Sequence, residues 1–183
     1  MTVNDLLREQ LTFHWDHQVR PRLDGLTDAE YLWEPVPGAW NLRPGTDPDH
    51  PTTIDFVDPQ PDPPPVTTIA WRLAHVVVGV LAARNASHFG GAPADYRTFP
   101  YATTAAGALD QLDREYAAWT VGVTALGEEG LERPVGAAEG PWSDRSYATL
   151  VLHVNREVVH HLAEVCLLRD LHAHQPTTGR TRG

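Results

Sequence analysis

Lysine is absent from this 183-residue chain: all fourteen basic residues are arginine, set against 24 acids for a net charge of −10. A chain so poor in cations, with no basic stripe, lacks the clustered positive charge from which duplex nucleic acid binding draws its affinity. Cysteine is almost as scarce. Cys166 stands alone, which excludes an intrachain disulfide and suits a reducing compartment. No run of roughly 18 apolar residues offers a membrane span. The N-terminal stretch from Met1 to Gln10 carries charges where a signal peptide needs its apolar core. These absences lead to the expectation of a soluble, cytoplasmic protein with no nucleic-acid or membrane partner. Strand-like alternation is also missing, so helical periodicity is the pattern left to read.

What is present suffices for one domain, since 42% of the residues are apolar and a core can close without disulfides. Four helix-length segments follow. The first runs from about Val3 to Leu23, with Leu6, Leu7, Leu11, Trp15 and Val19 giving helical periodicity and Thr2 or Asn4 as N-cap. The second starts at Thr67 or Thr68 and covers Ile69 to about Phe89, where Gly90-Gly91 stops it. The third spans Ala105 to about Leu126, before Gly127, and the fourth Ser146 to His172. Between the first two, Leu26 to Val66 holds a short helix start at Thr27-Asp28-Ala29-Glu30, then prolines dense enough to forbid regular structure. Tyr31, Trp33, Trp40 and Phe56 would tether this crossover by aromatic packing. The predicted fold is all-α: a four-helix bundle with a long Pro-rich crossover between helices 1 and 2, residues 1–174 forming one domain and 175–183 a flexible tail.

The last helix carries the chemistry. At ~100° per residue, His153, Glu157 and His161 recur at i, i+4 and i+8 and share an arc of about 80° with Glu164. Val154, Val158 and Val165 border that arc, so burying the valines carries imidazoles and carboxylates inward, where they need partners. A divalent cation is one such partner, a buried hydrogen-bond network another, and simple exposure of the stripe a third. Cys166 lies on the opposite side and reads as a core residue.

One helix covers only part of a coordination sphere, so a metal needs a ligand from a facing helix. His75 sits in the apolar run Leu73-Ala74-His75-Val76-Val77-Val78 of the second helix and is the candidate. Arg72, nearby on another face, reads as a surface residue or as a group that meets an acidic substrate. His160 points ~100° away from His161, so the two are not expected to share an ion. His14 and His17 on the first helix could reach a bundle site or lie on a solvated face. His50, His88, His172 and His174 read as surface residues, the last two suited to a helix C-terminus.

With Trp33-Glu34-Pro35, Gly38-Ala39-Trp40, a histidine on helix two and the His153-x3-Glu157-x3-His161 pattern followed by Ala163-Glu164, the chain resembles the DinB/YfiT-like superfamily from its first helix to about Arg169. That resemblance implies a four-helix bundle, often dimeric, that binds zinc or nickel through three histidines. Matched residue by residue, the metal ligands fall on His75, Glu157 and His161. Glutamate thus stands where the family has its middle histidine. A His2Glu set is competent for catalytic zinc, although the same glutamate could mark a site that has lost its ion, and His153 could replace it as ligand.

The activity implied by the resemblance is transfer of a low-molecular-weight thiol, mycothiol or bacillithiol, to a small electrophile. A chain free of lysine and rich in Ala, Gly, Pro and Arg is associated with mycothiol. Glu164 and His153 are candidates to orient ligands or act as a base, and Trp40 to wall the substrate pocket. Two other classes stay open: a hydrolase in which the ion activates water, and a non-catalytic bundle that binds a metal or small molecule.

Overall fold

The structure, a computed structural model, describes residues 1–175. All but Gln175 of the expected tail, 175–183, lies outside the described residues. The first helical run begins with a capping box: the Thr2 hydroxyl accepts the Asp5 N–H while the Asp5 carboxylate accepts the Thr2 N–H. Helix α1 spans Val3–His14, passes through a π-turn at Trp15–Val19 and continues as α2, Arg20–Leu23. Asn4, the alternative cap, does something else. It is buried, and its amide donates to the Val123 carbonyl at 2.8 Å.

Thr27 and Glu30 form a second capping box for the short α3, Asp28–Tyr31. Beyond it the prolines were expected to forbid regular structure, and there the structure differs. Strands β1, Leu42–Asp47, and β2, His50–Ile54, pair antiparallel with Leu42 opposite Ile54 and Pro44 opposite Thr52. A two-stranded hairpin consists only of edges, so Pro44 and Pro51 can sit where no ladder N–H is required. Gly45 permits the close turn, because a Cβ there would lie 2.2 Å from the His50 carbonyl oxygen.

The segment that carries the hairpin is tied down by both ring contacts and polar ones. Trp40 packs on Trp71 at 5.7 Å between centroids, Trp33 meets His172 edge-on at 5.3 Å, and the buried Tyr31 donates to the Ala102 carbonyl at 2.9 Å. Asn41 is 4% exposed. Its amide donates to the Leu32 carbonyl while its oxygen accepts from the Leu42 N–H and the Thr68 hydroxyl. Thr68 in turn caps α4, Ile69–His75, by accepting the Trp71 N–H. One buried amide thus links the segment before β1 to the start of the helix that delivers His75.

From α4 the chain runs through a π-turn, Val76–Ala82, into α5, Ala83–Phe89, and stops at Gly90 with φ 72°. Helix α6, Ala105–Glu132, extends past its expected end. Gly127 breaks the regular backbone at φ 60°, after which the chain turns helical again. The extension brings the Glu128 carboxylate onto the N–H groups of Val3 and Asn4 at 3.2 and 2.7 Å, which helps anchor the start of α1. Helix α7, Tyr147–Ala173, is capped by Ser146.

Helix α4 packs against α6 and α7, α1 against the same two, and α5 against α6. Val154, Val158, Leu162 and Val165 of α7 are at most 1% exposed, each contributing roughly 1.5–3 kcal/mol by burial. Cys166, 5% exposed, faces this core. Asn155 and Arg169 join α7 to the first helical region. Asn155 donates to the Leu7 carbonyl, and Arg169 pairs with Glu30 and donates to the carbonyls of Arg22 and Asp24. Among the described residues no helix is long and apolar enough to cross a membrane.

Candidate metal centre

His75 ends α4, and Glu157 and His161 lie one turn apart on α7, which packs against it. The apolar residues around each imidazole pull the two helices together and carry the rings with them. His75 Nε2 and His161 Nε2 are 3.2 Å apart, and His161 Nε2 is 3.4 Å from Glu157 Oε2. The rings meet at 89°. In a tetrahedral site with metal–ligand distances of ~2.0–2.1 Å, neighbouring ligand atoms are separated by about 3.3 Å. The two contacts made by His161 Nε2 are of that length.

The far nitrogen of each ring is held. His161 Nδ1 is 2.8 Å from Glu164 Oε2 and 3.3 Å from an Arg72 nitrogen. Carboxylate oxygens only accept, so Nδ1 carries the proton and donates to Glu164; the longer Arg72 approach is then proximity rather than a hydrogen bond. In the neutral ring, Nε2 is left as the lone-pair nitrogen facing His75. His75 Nδ1 is 2.6 Å from the Tyr96 hydroxyl. Held imidazoles whose free nitrogens converge are the arrangement of metal-ligating histidines, which donate their other N–H to an acceptor.

The electrostatics suit this donor set. Burial, then the neighbouring His161 and Arg72 charges, hold His75 down at about 4, so it is neutral at pH 7. Burial raises the Glu157 carboxyl, but the hydrogen bond from Arg156 and the charges of His153, Arg156 and His161 outweigh it and leave the pKa below its ordinary value. Tyr96 is pushed up to about 12 by burial, so its hydroxyl keeps its proton. The structure thus brings a neutral His75 imidazole, the His161 imidazole and the Glu157 carboxylate together, with His161 in contact with both of the others.

Arg72 is where the expectation of a surface residue fails. Its side chain is 20% exposed and its Nε lies 3.1 Å from Glu164 Oε2. Burial lowers the guanidinium pKa and Glu164 opposes the shift. Arg72 therefore balances the charge of the carboxylate that orients His161, a role invisible when the helices are read singly.

His160, His161 and Glu164 also offer one ligand atom each within 4.8 Å of one another, although His160 and His161 were not expected to approach a common point. The Glu164 side chain spans the gap, with one oxygen 3.6 Å from His160 Nε2 and the other on His161. All three ligands come from one helix, and the Arg72 cation stands against Glu164 and the Nδ1 side of His161. The Nε2 side draws on two helices, through His75 and Glu157, while Arg156 stands 3.0 Å from the other Glu157 oxygen.

The remaining candidates separate. His153 lies 3.7 Å from Glu157 Oε1 and 2.7 Å from an Arg156 nitrogen, half-exposed and directed at the same carboxylate. Trp40 reaches the centre indirectly, through Trp71, which stacks on His75 at 5.3 Å. His14 bonds to Gln18, and His17 packs on Phe13. Sequence reasoning missed Tyr96, whose loop position carries no periodic signal, and misread His88. The His88 side chain is 2% exposed, with Nε2 3.0 Å from Glu139 and Nδ1 3.2 Å from the Tyr147 hydroxyl. Its side chain is enclosed rather than on the surface.

No curated protein and no solved structure matches this chain. A family model described as the DinB superfamily matches residues 10–165, which includes His75, Tyr96, Glu157, His161 and Glu164. By that match over most of its length, the chain belongs to the DinB superfamily.

Proposed function

We propose that this protein is a divalent-metal-dependent enzyme in which His75, Glu157 and His161 hold zinc or nickel, and that it transfers a low-molecular-weight thiol of the mycothiol type to a small electrophile. The observation that carries the reading is the convergence of two imidazole Nε2 atoms from different helices while both Nδ1 atoms are held by Tyr96 and Glu164. When bound, the ion lowers the pKa of a thiol or water brought to it and so supplies a nucleophile near neutral pH.

The chain's own residues do the rest. Glu164 orients His161 and is neutralised by Arg72; Tyr96 orients His75; Trp71 and Phe56 stack on His75 and Tyr96 and shield that side from water. His153 and Arg156 both contact Glu157 and steer it. The family arrangement proposed is a single-domain four-helix bundle with the Pro-rich crossover after its first helix, acting in the cytoplasm as a homodimer on small molecules rather than nucleic acid. If water takes the place of the thiol, the same centre acts as a hydrolase.

One observation favours a different reading. A separation of 3.2 Å is also a hydrogen-bond distance. With the Tyr96 hydroxyl donating to His75 Nδ1, His75 Nε2–H could donate to His161, and the cluster would be a polar network in a non-catalytic small-molecule binder.

Elemental analysis of protein purified without an affinity tag separates the two. About one equivalent of metal, lost in His161→Ala, is expected. Less than roughly a tenth of an equivalent, unchanged by the substitution, would overturn the metalloenzyme reading. Conjugation of an electrophile measured with and without thiol then tests the reaction, and turnover indifferent to the thiol excludes the transferase.

A further inference from the structure

A cavity of about 790 Å3 opens beside the N-terminal half of α7, lined by Arg84, Arg145, Arg156, Glu139, Trp142 and Leu150 among others. His153 of the α7 stripe also lines it, whereas His75 and His161 do not. Its chemistry is unusual for this chain, since three guanidiniums and one carboxylate line it in a protein of net charge −10. The carboxylate is already engaged: Glu139 lies 3.0 Å from the buried His88 and 3.5 Å from Arg84. Arg84 is fixed by donation to the Gly79 carbonyl at 2.6 Å, and its enclosed Nε has no acceptor. Arg145 rests over the Trp142 ring at 5.9 Å and pairs with no carboxylate among the described residues. Arg156 joins the cavity to the centre, lying 3.0 Å from Glu157. Val135, Leu150 and Leu152 supply an apolar wall.

We infer that this cavity binds a small organic carboxylate with an apolar body. Guanidinium forks match a planar carboxylate, and the wall suits an aryl or alkyl portion. A volume of this size is that of a small-molecule pocket. An inorganic phosphate would satisfy the cations but leave the wall uncovered. The inference does not require a metal, because none of the three arginines is a proposed ligand. With ligand in place, its carboxylate would lie beside Arg156 and so next to Glu157.

The test uses the full-length, chelator-treated protein and phenylacetate, with binding followed by NMR chemical shifts and Trp142 fluorescence. Saturable binding below about 10 mM is expected, with shifts at Trp142, Leu150 and Leu152. The neutral isostere phenylacetamide and inorganic phosphate should each bind about 10-fold more weakly. Arg145→Gln, at an exposed position that leaves the fold intact, should weaken phenylacetate about 10-fold, whereas Glu139→Gln should tighten it. Equal binding of acid and amide, indifference to Arg145→Gln, shifts elsewhere or no saturation would each overturn the inference. Any of these results would leave the metal reading untouched, since metal content is measured separately.

Discussion

His75 Nε2 and His161 Nε2 face each other across the α4–α7 contact at 3.2 Å, though the two residues are 86 positions apart in the chain. Everything proposed for the centre depends on that approach. The outer partners of the two rings decide whether the approach is a ligand pair or a hydrogen bond.

Tyr96 is the partner most open to test. Tyr96→Phe removes the hydroxyl from His75 Nδ1 and should lower metal affinity about 10–100-fold without unfolding the protein. Gly79→Ala should act the same way from the opposite direction. A Cβ at Gly79 would lie 1.8 Å from the Tyr96 hydroxyl oxygen, so the phenol must leave its position, even though alanine favours the helix by ~0.5–1 kcal/mol. Competition against a chromophoric chelator measures both variants, and wild-type affinity in either would show that Tyr96 does not orient the ligand.

Glu157 distinguishes an altered site from a vanished one. Glu157→Gln preserves shape but removes the charge, and should weaken metal binding at least ~10-fold. Glu157→His restores three imidazoles and should stay within about 10-fold of wild type. The same competition assay reads both. A glutamine variant that binds as tightly as the parent would remove Glu157 from the ligand set.

Asn41 should be expensive to lose. Asn41→Ala strips the Leu32 carbonyl of its donor and the Leu42 N–H and Thr68 hydroxyl of their acceptor, and is expected to cost about 2 kcal/mol or more in urea unfolding. Because Thr68 caps α4, hydrogen exchange should quicken at the first turn of that helix. Stability within about 0.5 kcal/mol of wild type would contradict the role assigned to this amide.

Alkaline conditions should unfold the protein through its tyrosines. Burial raises Tyr31, Tyr101 and Tyr116 above the ordinary phenol value and pushes Tyr96 up to about 12. Since the folded values exceed the unfolded value near 10, their contribution to stability is complete below pH ~10 and is lost as pH rises further. In a pH jump to about 11, most of the phenolate absorbance should therefore appear slowly, with loss of the fold. Immediate ionisation of all five tyrosines would refute this.

The readable part of the fold came from local signals. Thr2, Thr68 and Gly90 sit at the helix ends where cap chemistry predicts them, and the spacing of Leu11, Trp15 and Val19 marks a buried face. The hairpin escaped because proline density argues against strands in general but not against a pair made only of edges. By local rules Gly127 ends its helix, yet a glycine at positive φ can also bend a helix and let it resume.

For the site, sequence determined the candidates: a stripe of His153, Glu157, His161 and Glu164 on one helix face, and an imidazole in the apolar run around His75. Periodicity could do this because neighbours at i+3 and i+4 follow from helix geometry alone. Tertiary structure decided the rest. It turned the Nε2 atoms of His75 and His161 together, set Arg72 against Glu164, brought Tyr96 onto His75 and enclosed His88 with Glu139. Those relationships depend on how helices cross and which rotamers the packing permits, and no pattern within a single helix encodes them.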